Sequence, residues 1–91
     1  MADDQYPPLV RVFITLDPLA QGEILEAWGR IEGDTVTFGP FAYRATGEGC
    51  GWHRQRWAAE NYARQLQAER LTLLRAEVAR LEGLRFGRPG R

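Results

Sequence analysis

Apolar and polar residues alternate at period two along the first half of the chain and recur at about 3.6 residues along the second. In residues 9–16, Val10, Val12, Ile14 and Leu16 fall on one face, while Leu9, Arg11, Phe13 and Thr15 fall on the other. This β-branched stretch predicts a central strand. Asp17-Pro18-Leu19-Ala20-Gln21-Gly22 follows, with a capping residue, a proline suited to a first helical position and a stopping glycine, so it fits either one helical turn or a plain loop. A second strand is expected from Glu23 to Glu32, with Leu25, Ala27 and Ile31 on one face and Glu26, Trp28, Arg30 and Glu32 on the other. Gly33-Asp34 suits a two-residue hairpin turn, returning the chain along Thr35–Phe38. Gly39-Pro40 interrupts that return, and Phe41–Thr46 resumes either as its continuation or as a fourth strand.

Three glycines within Thr46–Gly51 mark a hinge, and their spacing fails the GxGxxG dinucleotide pattern beyond Gly51. From Trp52 to Leu84 no glycine or proline breaks the helical period apart from the stop at Gly83. The stripe Ala59, Tyr62, Ala63, Leu66 and Leu73 suits cover for a sheet face. A second stripe, Leu71, Leu74, Val78 and Leu81, repeats at three and four residues, the a/d spacing of a two-heptad coiled coil. A helix of this length runs roughly 45–50 Å, whereas a compact chain of 91 residues is about 30 Å across. One end must overhang, and its apolar stripe calls for a second surface. Residues 59–73 are expected to complete the domain's own core, and residues 71–84 to carry the apolar excess.

The expected fold is α+β: an antiparallel sheet of three or four strands with one long C-terminal helix packed on one sheet face. Residues 1–91 read as a single domain, comprising a β-meander (9–46), a glycine-rich hinge (47–51), the long helix (52–84) and a basic tail (85–91). The start MADDQYPP lacks the basic and apolar regions of a signal peptide, and no apolar run approaches 18 residues, so the expectation is a cytoplasmic protein off the membrane. A lone Cys50 forms no internal disulfide.

Composition narrows the chemistry. All twelve basic residues are arginine, and serine is absent. This excludes a P-loop lysine, a Schiff base and a serine nucleophile, although a GC-rich genome accounts for the same bias. Cys50 and His53, spaced C-x-x-H at the helix entrance, are the sole Cys and His. A thiolate there would gain from the helix N-terminus and from Arg54 and Arg56. A zinc site needs three or four ligands and would require a second copy. Acidic pairs such as Asp3-Asp4 or Glu23 with Glu26 read as a solvated face. No catalytic, cofactor or metal residues are therefore assigned.

The net charge of zero hides a balance of −5 over residues 1–51 and +5 over residues 52–91. The two halves complement each other within the fold or between copies, or the basic half meets nucleic acid or an acidic protein. Trp28, set among Glu26, Arg30 and Glu32, and Trp57, about 180° from Leu66 around the helix, are interface anchors if exposed. Otherwise Trp28 is covered by Tyr6-Pro7-Pro8 and Trp57 packs on the neighbouring loop. Trp52 is expected to plug the seam between helix and sheet.

From Phe41-Ala42-Tyr43 through Gly51-Trp52-His53-Arg54 to Leu81-Glu82-Gly83-Leu84-Arg85-Phe86, the chain resembles small proteins encoded by bacteriophages and prophages. These have a β-meander with a hairpin, an aromatic helix entrance, an Ala-rich turn matched here by Ala58, Ala59 and Ala63, and a long C-terminal helix. Arg54 stands where they tend to carry a Ser or Thr cap. The resemblance covers roughly residues 23–86 and implies a non-enzymatic inhibitor of a host defence, anti-CRISPR-like, that occludes a surface of its target. Three functional expectations follow: a protein-binding module engaging its partner through Glu26, Trp28, Arg30 and Trp57; an assembly module forming a homodimer through Leu71, Leu74, Val78 and Leu81; and a nucleic-acid binder using Arg75, Arg80, Arg85, Arg88 and Arg91.

Overall fold

The computed structural model describes residues 8–87. An antiparallel five-stranded curled sheet precedes one long C-terminal helix, an α+β fold. The elements are β1 (Leu9–Ile14), α1 (Pro18–Gln21), β2 (Leu25–Glu32), β3 (Thr35–Phe38), β4 (Tyr43–Thr46), β5 (Trp52–His53) and α2 (Arg56–Glu82). The strands lie in the order β4-β3-β2-β1-β5. The α+β class agrees with the sequence pattern, with one strand more than the three or four expected.

The register explains the burial. Val12 pairs with Ala27, Ile14 with both Leu25 and Trp52, Ile31 with Val36, and Val36 with Ala45. Cross-strand partners share a face, so these residues form one apolar surface, onto which the sheet curls. Val12, Val36 and Trp52 are fully buried there, with Ile14, Phe38 and Ala45 around them. Gly29, in mid-β2, keeps this curl possible: a Cβ there would lie 2.7 Å from the Thr37 carbonyl oxygen and from Val36 Cγ2.

Trp52 belongs to this core, whereas the sequence pattern assigns it to the helix and its seam with the sheet. The hairpin turn at Gly33-Asp34 explains the position. Asp34 receives three hydrogen bonds from the glycine-rich segment and Trp52: Gly47 N–H donates to its carbonyl (2.8 Å), Trp52 Nε1–H to the same carbonyl (3.0 Å), and Glu48 N–H to its Oδ1 (2.8 Å). Gly47 and Gly49, both at φ 97°, supply the left-handed bends that a side chain would resist. The segment is thus a tied loop that delivers Trp52 to the core, and α2 begins only at Arg56.

On the opposite face, Phe13 pairs with His53, and both are buried beneath the start of α2. Ala59 is fully buried, Tyr62 lies 5.3 Å from His53 between ring centroids, and Ala63 and Leu66 are half-buried. The docked stretch ends there. Leu73, expected to close the core, is 67% exposed, and every residue from Gln67 to Gly87 is exposed. The reason is geometric: strands of two to eight residues make a sheet narrower than a 27-residue helix, whose length is about 40 Å. The molecule measures 84 × 24 × 19 Å, with a radius of gyration of 20.5 Å against about 12 Å for a compact chain of this size.

Burying one tryptophan removes roughly 200 Å² of surface, worth about 5 kcal/mol of transfer free energy, a large share of a small domain's margin. Trp52→Phe is expected to lower the unfolding free energy by about 2 kcal/mol through the lost volume and the lost bond to Asp34. Urea denaturation followed by circular dichroism checks this: the midpoint should fall with the slope unchanged.

Candidate interaction surfaces

The outer face of β2 presents Glu26, Trp28, Arg30 and Glu32, as the alternation requires. Trp28 pairs with Arg11, Glu26 with Phe13, and Arg30 with Leu9 and Thr37. Phe13 anchors this surface. Arg11 and Arg56 place their guanidinium carbons 5.8 and 5.0 Å from its ring centroid, and both reach Glu26, at 3.5 and 2.8 Å. Exposed ion pairs of this kind each contribute about 0–1 kcal/mol. Their shared partner, Glu26, sets both guanidinium groups beside the Phe13 ring. The first turn of α2 adds Trp57, and a groove of about 390 Å³ opens between strand and helix, lined by Arg11, Phe13, Glu26, Arg54, Arg56 and Trp57.

The fold therefore brings Glu26 and Trp57 into one groove. Trp28 stands beside it across Arg11, and Arg30 lies one row further along β2. Trp28 and Trp57 are 60% and 65% exposed. Pro8 is also exposed, and the part of the suggested Tyr6-Pro7-Pro8 cover that precedes it lies outside the described residues. Arg11, Phe13 and Arg56 complete the surface and are not among the partner-binding residues expected from the sequence. Arg11 and Phe13 do share the outward face of the first strand, which was the available signal.

The second surface is distal α2. Leu71, Leu74, Val78 and Leu81 are 39–52% exposed and lie beyond the docked stretch. At about 100° per residue their stripe sits roughly 90° around the helix from the docked stripe of Ala59, Tyr62, Ala63 and Leu66. It is in line instead with Glu60, Ala63, Arg64 and Gln67. Those four residues form one wall of a groove of about 290 Å³ whose other wall is Pro18, Leu19, Gly22, Glu23 and Ile24. The helical turn α1 builds that wall: Asp17 Oδ1 accepts the Ala20 N–H at 3.4 Å, and Gly22 ends the turn at φ 75°.

The arginines assigned to nucleic acid form no stripe. Arg75 and Arg80 are about 140° apart around α2, Arg80 pairs with Glu77 at 2.6 Å, and Arg85 donates to the Glu82 and Leu84 carbonyls. Arg88 and Arg91 lie outside the described residues.

Among the described residues, no side-chain hydrogen bond joins Cys50 to His53. The exposed Cys50 Sγ lies 3.5 Å from the Gly47 carbonyl, while His53 is buried against Tyr62 with its Nε2 meeting no hydrogen-bond partner among the described residues. No group of three or more His, Cys, Asp or Glu among the described residues is placed to hold a metal ion, and no helix there is long and apolar enough to cross a membrane. No family model, curated protein or solved structure matches the chain, so its own surfaces carry the functional reading.

Burial pushes the His53 pKa below 6.5, with Glu48 opposing the shift. The unfolded chain therefore binds a proton more readily than the folded one. Stability is complete above about pH 6.5 and declines as pH falls through that value toward the lowered folded pKa. Urea midpoints between about pH 7.5 and 5 should show this decline, and His53→Phe should flatten it.

Proposed function

We propose that the chain is a non-enzymatic protein-binding module. The observation that carries this reading is the distal half of α2, a helical rod whose apolar stripe is left exposed by the rest of the described residues. Isolated helices of about 12–15 residues are marginal in water, so a free end gains most of its stability from tertiary partners. A second copy of the chain is a sufficient partner, because the stripe is self-complementary at heptad spacing. The reading thus includes a homodimer formed through Leu71, Leu74, Val78 and Leu81.

The groove at the base of the helix supports a role for a heterologous protein as well. Trp28 and Trp57 beside Arg11 and Arg56 have the composition of binding hot spots, and with Glu26 and Arg30 they form a surface able to occlude a target. The resemblance to phage-encoded proteins directs the search for that target toward host-defence complexes of the CRISPR type. The module would act there by occupying a surface, without chemistry.

Sedimentation equilibrium on the full chain from about 1 to 200 µM tests the reading where it is most exposed. A monomer–dimer equilibrium is expected, with Leu74→Arg plus Val78→Arg shifting it to monomer at every concentration while circular dichroism retains the sheet. A strictly monomeric wild type removes the assembly reading. A labelled single-stranded DNA shift at low salt addresses the Arg-rich helix, and absence of binding there removes the nucleic-acid alternative.

A further inference from the structure

We propose that two copies pair antiparallel along α2, and that the Leu84–Phe86 segment of each copy seats in the α1–α2 groove of the other. This rests on the assembly reading and specifies its geometry. Three observations lead to it.

The first is continuity along one helix face. The stripe Leu71, Leu74, Val78, Leu81 runs toward the N-terminus directly into Gln67, Arg64, Ala63 and Glu60, the helical wall of the groove. A chain that follows the stripe in the opposite direction therefore arrives at that groove. Pairing Leu71 with Leu81 of the second copy, and Leu74 with its Val78, fills four apolar layers and sets Glu82 of the second copy opposite Arg70. The four residues from Gly83 to Phe86 then extend at most about 13 Å, which spans the distance from Arg70 to the Glu60–Gln67 wall. Phe86 is 90% exposed and Leu84 41% exposed, so both are free to make this contact. Within one copy Phe86 cannot do so, because fifteen residues of helix, about 22 Å, separate Gln67 from Glu82.

The second is matched composition. The loop side of the groove, residues 18–24, holds one acid, Glu23, with Asp17 just before it and no basic residue, and exposes Leu19, while the helix side sets Glu60 beside Arg56 and Arg64. Residues 83–91 hold Arg85, Arg88 and Arg91 with no acid, beside Leu84 and Phe86. The loop side of the groove and the segment that ends in Leu84, Arg85 and Phe86 each join apolar surface to one sign of charge, and the signs are opposite. The helix holds Pro18–Ile24 and Leu84–Phe86 apart in a single copy, and antiparallel pairing brings them together.

The third selects orientation. A parallel pair sets Arg70 against Arg75 and Glu77 against Glu82 on both sides of the seam, four like-charge contacts, and places the two basic tails together. The antiparallel pair keeps only Arg75 against Arg75 and Glu77 against Glu77 at the dyad. Opposite ends of the two electrical dipoles then adjoin.

Site-directed cross-linking tests this in a Cys50→Ala background, where each introduced thiol stands alone. Carrying Leu19→Cys and Phe86→Cys in one chain should give a disulfide-linked dimer on non-reducing gels, whereas Leu81→Cys alone should not, its two copies lying on the order of 15 Å apart along the seam. Phe86→Ala, which removes a side chain exposed in the monomer, should raise the dimer dissociation constant roughly tenfold or more with the fold intact. A retained dimer in which Leu81→Cys links to itself, or in which Phe86→Ala is neutral, overturns the proposal and leaves the assembly reading standing. A disulfide between the thiols introduced at positions 19 and 86 of the same chain, or a monomeric wild type by sedimentation, overturns it as well; the monomer removes both.

Discussion

The two-residue strand Trp52–His53 is the constraint on which the architecture turns. Pairing Ile14 with Trp52 and Phe13 with His53 sends adjacent side chains to opposite faces of the sheet. One completes the apolar interior of the curl. The other forms the bed on which α2 lies. A slip of one residue would exchange them, setting an imidazole in the core and an indole under the helix. The Asp34 carbonyl, which accepts from both Gly47 N–H and the indole Nε1–H, guards against that slip by fixing the loop and the ring together.

Much of this was legible in the residues. Alternation in Leu9–Ile14 and Leu25–Glu32 assigned each side chain to the face it occupies, and Gly33-Asp34 turned the hairpin where expected. Asp17, Pro18 and Gly22 left a helical turn and a plain loop equally open, and the chain takes the turn, at Pro18–Gln21. The fifth strand was not legible, because two residues carry no periodicity and Trp52-His53 merges with the helical pattern behind it. Its existence depends on contacts distant in sequence, through Asp34 and Ile14. The extent of docking was hidden for a similar reason. Leu73 has the azimuth of Leu66 to within about 20°, and only the width of the sheet, a tertiary quantity, decides that one touches it and the other does not.

The candidate surfaces divide in the same way. Glu26, Trp28 and Arg30 are neighbours on one strand, so alternation sufficed to group them. Their meeting with Trp57 needed the path of α2 across Phe13, and the groove beside α1 needed the packing of a loop against a helix face. Charge asymmetry was evident from the sequence, but its arrangement was not: Arg54 and Arg56 pair with Glu48 and Glu26 within the fold, while Gln67–Glu82 holds three Arg against three Glu and projects away from the sheet, and the rest of the positive excess follows it in the sequence.

The standing-off of α2 also bears on how long a molecule survives. Segments without tertiary contacts open at low free energy compared with the core, and distal α2 displays Arg70, Arg75 and Arg80 along an exposed rod. Each local opening offers a peptide bond after arginine to a trypsin-like protease, at a rate set by the population of the open form. A partner that covers the rod suppresses those openings. With the rod covered, the chain would resist such cleavage longer than with it bare.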